Sequence, residues 1–310
     1  MLKYALLFPG QGAQAVGMGR GLYDAFDVAQ ETYRTANRVL GFDLAALCFE
    51  GDPSTLTRTD QCQPAIYVTS IAAWRALASR GGWDAPAATA GLSLGEYAAL
   101  TAAGAWDFTD GLRLVQIRGE AMAEASQRSP GAMTALFGLS RDEVERLCRQ
   151  SGAEVANLNS PGQIVVSGAV AAITKMEELA KAAGAKRVIR LEVGGAFHSS
   201  LMQSASQRMA QALAHLDVKA TRVPVISNVT AQPMTDPQTI RANLIKQLTH
   251  PTLWADAMQQ LVGQGITHYI EMAPGKVLSG LLKRIAPTVN IMALNAPADY
   301  AQLETIATSA

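Results

Sequence analysis

The sequence lacks most of the features that would commit a chain early to a specialised class. There is no charge excess of either sign, since 26 Lys and Arg balance 26 Asp and Glu over 310 residues. A chain so balanced offers no broad electrostatic face to nucleic acid or to an anionic membrane. Cysteine is scarce. Cys48, Cys62 and Cys148 are far apart and odd in number, so they suggest neither a metal site nor a disulfide framework, and buried thiols are expected. Long apolar runs are missing too: no segment approaches the ~20 apolar residues needed to cross a bilayer. The N-terminal residues 1–8 lose their apolar character at Pro9-Gly10, well short of a signal-peptide core, and the cytoplasm is the expected compartment. What is abundant is core material. With 49% hydrophobic and 17% charged residues, the chain can bury the interior of one large domain, or of a large domain carrying a small one.

One stretch stands out for chemistry, Gly91-Leu92-Ser93-Leu94-Gly95. An apolar run at residues 87–90 precedes it and a good helix former, beginning Glu96-Tyr97-Ala98-Ala99, follows it. Strand, Gly-x-Ser-x-Gly turn and helix together make a nucleophile elbow. The glycines permit the tight turn, and the helix N-terminus offers N–H groups and a positive dipole end to a developing oxyanion. An ordinary glycine-rich turn with a solvated serine would look the same at this length. A second glycine loop, Gly10-Gln11-Gly12-Ala13-Gln14-Ala15, follows an apolar strand at residues 3–8 and formally matches a dinucleotide fingerprint. Gly17 and Gly19 keep it from entering a helix directly, and no acidic residue ends a second strand, so a nicotinamide or flavin enzyme is disfavoured.

The periodicities predict a helix over 21–40, a long helix with Pro64 in its first turn running to Gly81-Gly82, and another over 109–127. In that last helix Arg118 and Met122 share a face beside an apolar stripe. Ser129-Pro130-Gly131 marks a boundary. Beyond it the order is strand 133–139, helix 140–151 capped by Ser140 with Glu143, strands 154–159 and 163–167, helix 170–183 and strand 186–193, a βαββαβ ferredoxin-like unit. Strand 223–227, helical segments 243–247 and 253–262, strand 269–271 and a final helix through Leu278, Leu281 and Ile285 complete the pattern. The fold class is therefore α/β: a core of residues 1–128 and 197–310 with a mostly parallel sheet, and an inserted subdomain of residues 129–196. Lys186, Arg187 and Arg190 form a basic cluster, read as a solvated face.

A serine nucleophile needs a base. His215 suits a helix C-terminus, His268 opens a strand, and His250 is held extended by Pro251. His198, after Gly194-Gly195 and at the start of a helix, is favoured over His250 by its position.

Taken together, Phe8-Pro9-Gly10-Gln11-Gly12, the elbow with Glu96-Tyr97, Gln116-Ile117-Arg118-Gly119, Asn159-Ser160-Pro161-Gly162-Gln163, Gly195-Ala196-Phe197-His198-Ser199, Ser227-Asn228-Val229-Thr230 and Pro274-Gly275-Lys276-Val277-Leu278 resemble the malonyl-CoA:acyl carrier protein transacylases, in order and over essentially the whole chain. Position 92 is Leu where many members carry His. The resemblance implies an α/β-hydrolase-like core with a ferredoxin-like insertion. It implies Ser93 as nucleophile, His198 as base, and the backbone N–H groups of Gln11 and Leu94 as oxyanion hole. His198 would be held by backbone carbonyls, one of them from His250. Arg118 would pair with the malonyl carboxylate, Phe197 would narrow the pocket, and Met122, Asn159 and Gln163 would line it. Malonyl-CoA and an acyl carrier protein are the implied partners, with no resident cofactor or metal and no need for more than a monomer. A serine thioesterase or esterase is the alternative, since it shares the elbow and a later histidine.

Overall fold

The computed structural model describes residues 3–81 and 83–308. In chain order its strands are β1 (Tyr4–Phe8), β2 (Ala88–Gly91), β3 (Gly131–Phe137), β4 (Glu154–Ser160), β5 (Gln163–Ala169), β6 (Arg187–Arg190), β7 (Val225–Ile226), β8 (Pro233–Met234), β9 (His268–Met272) and β10 (Asn290–Leu294). Six of them form one sheet in the order β10-β9-β1-β2-β7-β8. Its neighbours run parallel from β10 through to β7, and β8 joins antiparallel.

β1 lies inside this sheet and is buried at every position. Because side chains alternate along a strand, its two faces feed two different cores. Tyr4, Leu6 and Phe8 pack into a large core with Ile66, Val68 and Ile71 of the helix Thr59–Ser79. Ala5 and Leu7 pack on the other side with Trp254, Met258, Leu278 and Leu282, from the helices Trp254–Gly263 and Val277–Ile285. The sheet is covered on both faces, as parallel strands require.

The other four strands form a separate antiparallel sheet, β4-β5-β3-β6. The helices Arg141–Ser151 and Val170–Ala182 cover it around Leu136, Val144, Leu147, Ile164, Val166 and Ile173. This is the βαββαβ arrangement expected of the inserted unit. Ser140 caps the first of these helices through a complete capping box with Glu143. The second sheet is fastened to the rest of the chain at the segment after Pro251: Thr252 N–H donates to the Ala156 carbonyl and Leu158 N–H to the Thr252 carbonyl, each at 2.9 Å.

Local expectations needed correction in several places: the strand expected over 223–227 is only Val225–Ile226, and the helical segment expected over 243–247 begins at Pro237. The helix expected over 21–40 is two, Arg20–Ala25 and Asp27–Leu40, because Phe26 between them is extended (φ −130°, ψ 118°). Pro64 does not open its helix. The helix begins at Thr59, so the proline sits in the second turn, where only one ladder N–H is lost. The helix end expected at Gly81-Gly82 includes Gly82, which lies outside the described residues. β8, β10 and the helix Pro297–Thr308 were not anticipated; β8 is two residues long and β10 is an edge strand. Finally, β6 keeps only Arg187–Arg190 of the strand expected over 186–193.

Candidate active site

The carboxyl ends of β1 and β2 are adjacent, with Phe8 opposite Gly91, and the two glycine loops leave the sheet side by side. In open α/β sheets this edge is where ligands collect. The approach is too close for side chains. A Cβ on Gly95 would stand 2.0 Å from the Phe8 carbonyl oxygen, and one on Gly10 would stand 2.3 Å from the Leu92 oxygen. Between them Ser93 adopts φ 53°, a left-handed conformation that is costly for a residue with a Cβ. Asn228 holds the strained turn on both sides. Its Oδ1 accepts from Ser93 N–H at 2.6 Å and its Nδ2 donates to the Gly91 carbonyl at 2.7 Å.

Ser93 Oγ lies 2.9 Å from His198 Nε2, and the other ring nitrogen, Nδ1, lies 2.8 Å from the Gln247 carbonyl. A carbonyl can only accept, so Nδ1 carries the proton and the Nε2 lone pair faces the serine. No carboxylate is needed as orienter. Burial and the nearby Arg118 charge push the imidazole down to about 4, so it is a neutral base over the whole physiological range. His198 also has a left-handed backbone, φ 56°.

Arg118 is 1% exposed. Its Nη2 donates to Ser93 Oγ and to Gln247 Oε1, both at 3.0 Å, and its Nη1 donates to Gln63 Oε1 at 2.6 Å. Its guanidinium lies over the Tyr97 ring, 5.3 Å from the centroid. Burial lowers its proton affinity, but a guanidinium stays charged in proteins. The result is a buried cation held by neutral groups, with Nε making no hydrogen bond of ordinary geometry. Such a group awaits an anion.

The cleft above Ser93 encloses about 140 Å³. Gly10, Gln11, Leu92, Arg118 and Met122 line it from the parallel-sheet side, and Met133, Asn157, Asn159 and Val165 from the antiparallel sheet. Leu191, Val193, Phe197 and His198, on the segment that leads back from the second sheet, complete it. A larger groove of about 480 Å³, between residues 58–60 and 120–127, contains neither Ser93 nor His198.

Over residues 5–292 the chain matches the acyl transferase domain family. The chain belongs to this family. It is 43% identical to the malonyl CoA-acyl carrier protein transacylase of Bacillus subtilis (strain 168), over 96% of this chain and 95% of that one. An acyl carrier protein S-malonyltransferase from Vibrio cholerae, solved as a crystal structure, superposes with a TM-score of 0.94 at 41% identity, covering 97% of this chain and 99% of that one. A malonyl-transacylase, solved in complex with a type II PKS acyl-carrier protein, gives a TM-score of 0.95 at 38% identity, covering 98% of this chain and 99% of that one. The α/β core with a separate antiparallel sheet is the architecture of these relatives.

Within this acyltransferase the sequence-predicted residues converge unevenly. Ser93, His198 and Arg118 meet within hydrogen-bond distance, and Gln11, Met122, Asn159 and Phe197 line the cleft beside them. The backbone N–H groups of Gln11 and Leu94 donate to no other group among the described residues, although Leu94 is buried. Two expectations shift. The carbonyl at 2.8 Å from the histidine is that of Gln247, with the His250 backbone a smaller hydrogen-bonding influence on the same ring. Gln163 lies outside the cleft. At the first position of β5 its side chain turns to Arg284, which donates to Gln163 Oε1. Sequence reasoning missed Gln63, Asn228 and Gln247. Asn228 stood in a quoted motif without a role, whereas Gln63 and Gln247 are single polar residues inside helical patterns and give no signal until the helices pack. The three cysteines are free and buried, as expected.

Proposed function

We propose that this enzyme transfers the malonyl group of malonyl-CoA, through malonyl-Ser93, to the phosphopantetheine thiol of an acyl carrier protein, supplying chain extension in fatty-acid or polyketide synthesis. The carrying observation is the buried Arg118 guanidinium whose Nη2 lies 3.0 Å from Ser93 Oγ. An acyl group carried on Ser93 Oγ has its distal end within reach of that fork. A carboxylate there gains a charged, bidentate partner.

The steps balance without a cofactor or metal. Ser93 Oγ attacks the thioester carbon as its proton passes to His198 Nε2, and the oxyanion is received by the N–H groups of Gln11 and Leu94. The C–S bond breaks, the CoA thiolate takes the proton from His198, and the malonyl ester remains. The carrier's thiol then repeats the sequence in reverse, with its own proton taken by His198. Arg118 is one of the causes that depress the histidine, so a malonyl carboxylate paired with it relieves that effect and makes His198 a stronger base when the right substrate is bound.

Discrimination follows from the same residue. An acetyl group leaves the cation unpaired, a loss of about 3–5 kcal/mol for a broken buried pair. The thioesterase or esterase alternative is not favoured: hydrolysis of a neutral acyl group has no use for this cation, and the relatives are transacylases. Among the described residues no helix is long and apolar enough to cross a membrane, and we place the enzyme in the cytoplasm. The test is transfer of radiolabelled malonyl from malonyl-CoA to a holo-acyl carrier protein. Label should appear on the carrier with the wild-type enzyme and not with Ser93→Ala; equal labelling by both would refute the assignment.

A further inference from the structure

Acyl transfer as described leaves one buried ionisable group without a task. Glu96, directly after the second glycine of the elbow, is 1% exposed. A carboxylate removed from water has to be hydrogen-bonded or neutralised, and its neighbours decide which. Arg118 has donors only, so the Gln247 atom that receives Nη2 must be Oε1. This fixes the other end of the amide. Gln247 Nε2 donates to the Ser93 carbonyl at 3.0 Å and to Glu96 Oε2. Glu96 Oε1 receives the backbone N–H of Asn228 at 3.4 Å. Both carboxyl oxygens therefore face donors, an arrangement that suits the ionised form, because a proton on either would set O–H against N–H.

The charged and titratable groups around it are few. Arg118 approaches from the helix Phe108–Arg128, Tyr97 is the next residue in its own helix, and Gln247 and Asn228 arrive from other elements as neutral amides. His198 meets the same hub through the Gln247 carbonyl. Arg118 makes no direct ion pair among the described residues and reaches Glu96 through Gln247.

Resting on the malonyl-transfer reading, we propose that Glu96 is a positioning residue: ionised, it locks the Gln247 amide so that one side chain holds both Arg118 and the Ser93 turn, and protonation releases the lock and slows malonyl loading. Burial pushes the Glu96 carboxyl up to about 7, so release falls within the working range, whereas His198 at about 4 is neutral well below it. The acidic limb of the reaction then belongs to Glu96.

The experiment is the initial rate of Ser93 malonylation by malonyl-CoA, quenched and read by intact mass, from about pH 5 to about pH 9, for wild type, Glu96→Gln and Glu96→Asp. The wild-type rate should fall as pH drops through a midpoint near 7 and level off roughly ten- to hundredfold lower. Glu96→Gln must turn its amide N–H₂ towards one of the two donors. Its rate at high pH should drop roughly ten- to hundredfold, the effect of losing a charged hydrogen bond, and the limb should vanish. Glu96→Asp, still a carboxylate, should be slowed and keep a limb. A Glu96→Gln enzyme with the wild-type rate or the wild-type limb overturns the proposal. Should that variant fail to fold, the wild type still decides, since a profile flat from about pH 8 to about pH 5 would leave Glu96 no part in the reaction. A wild-type adduct with a flat profile defeats this proposal alone; absence of any adduct at any pH defeats the malonyl reading as well.

Discussion

The two sheets contribute to the cleft in different ways. Loops and helices of the parallel sheet supply the groups that meet Ser93: Arg118 on Oγ, Asn228 on the amide, Gln247 on the carbonyl and, through its own carbonyl, on His198. The antiparallel sheet supplies Met133, Asn157, Asn159 and Val165 as wall, and among the described residues none of them bonds to Ser93, His198 or Arg118. One sheet carries chemistry and the other carries shape. The join is the chain segment around residues 247–252, where Gln247 serves the histidine and Thr252 pins β4. A wall fastened so close to the base can shape the substrate's path without contributing a reacting atom.

That division can be broken by experiment, beginning where the effect is largest. Replacing His198 by Ala should lower malonyl transfer by about four to six orders of magnitude, as when one member of an interdependent nucleophile–base pair is lost, with the folded state intact by circular dichroism. Arg118→Ala comes next. The loss of about 3–5 kcal/mol amounts to a fall of about two to three orders of magnitude in malonyl transfer. Acetyl transfer should fall far less, so the ratio of the two rates is the reading to take. Equal losses for both donors would make Arg118 a scaffold and not a selector. Wall substitutions should be milder. Asn159→Ala is expected to alter KM for malonyl-CoA by about tenfold or less with kcat nearly unchanged, since a wall contact adds similarly to bound and transition states. A collapse of kcat would place the antiparallel sheet in the chemistry after all.

The smallest effects are on stability. Ser140→Ala removes the capping box of the helix Arg141–Ser151 and should lower stability by about 1 kcal/mol, with transfer unchanged. The acid side has its own signature. His198 is held at about 4 when folded against an ordinary 6.5, so between those values the unfolded chain binds a proton that the folded one does not. This contribution to stability is complete above 6.5, declines as pH falls and is gone below about 4. Denaturant midpoints for wild type and His198→Ala should converge across that window.

How much of this was visible in the sequence depends on how local each feature is. Strand β1 and the elbow are short-range patterns, and the left-handed Ser93 follows from a turn that only Gly91 and Gly95 can flank so closely. The ferredoxin-like unit was legible because its capping box and turns punctuate it. Phe26 shows the opposite case, where an unbroken apolar period hides a single extended residue. The site divides in the same way. Ser93, His198 and Arg118 have unusual chemistry at recognisable places. Gln63 and Gln247 are ordinary helix residues whose value comes from facing Arg118 across the interior, Gln63 55 residues away and Gln247 129. Gln163 erred in the other direction, because its motif position is local but its side-chain direction is set by β5 and by Arg284.

The central claim is that Arg118 makes the Ser93 site select an acyl group bearing a carboxylate. The most direct measurement is competition: wild-type enzyme with equimolar malonyl-CoA and acetyl-CoA, no carrier present, followed by intact-mass and peptide analysis. The account predicts an adduct of malonyl mass on the peptide containing Ser93, in large excess over acetyl, with the excess lost in Arg118→Ala. A predominantly acetylated wild-type enzyme, or malonyl excess undiminished in Arg118→Ala, would contradict it.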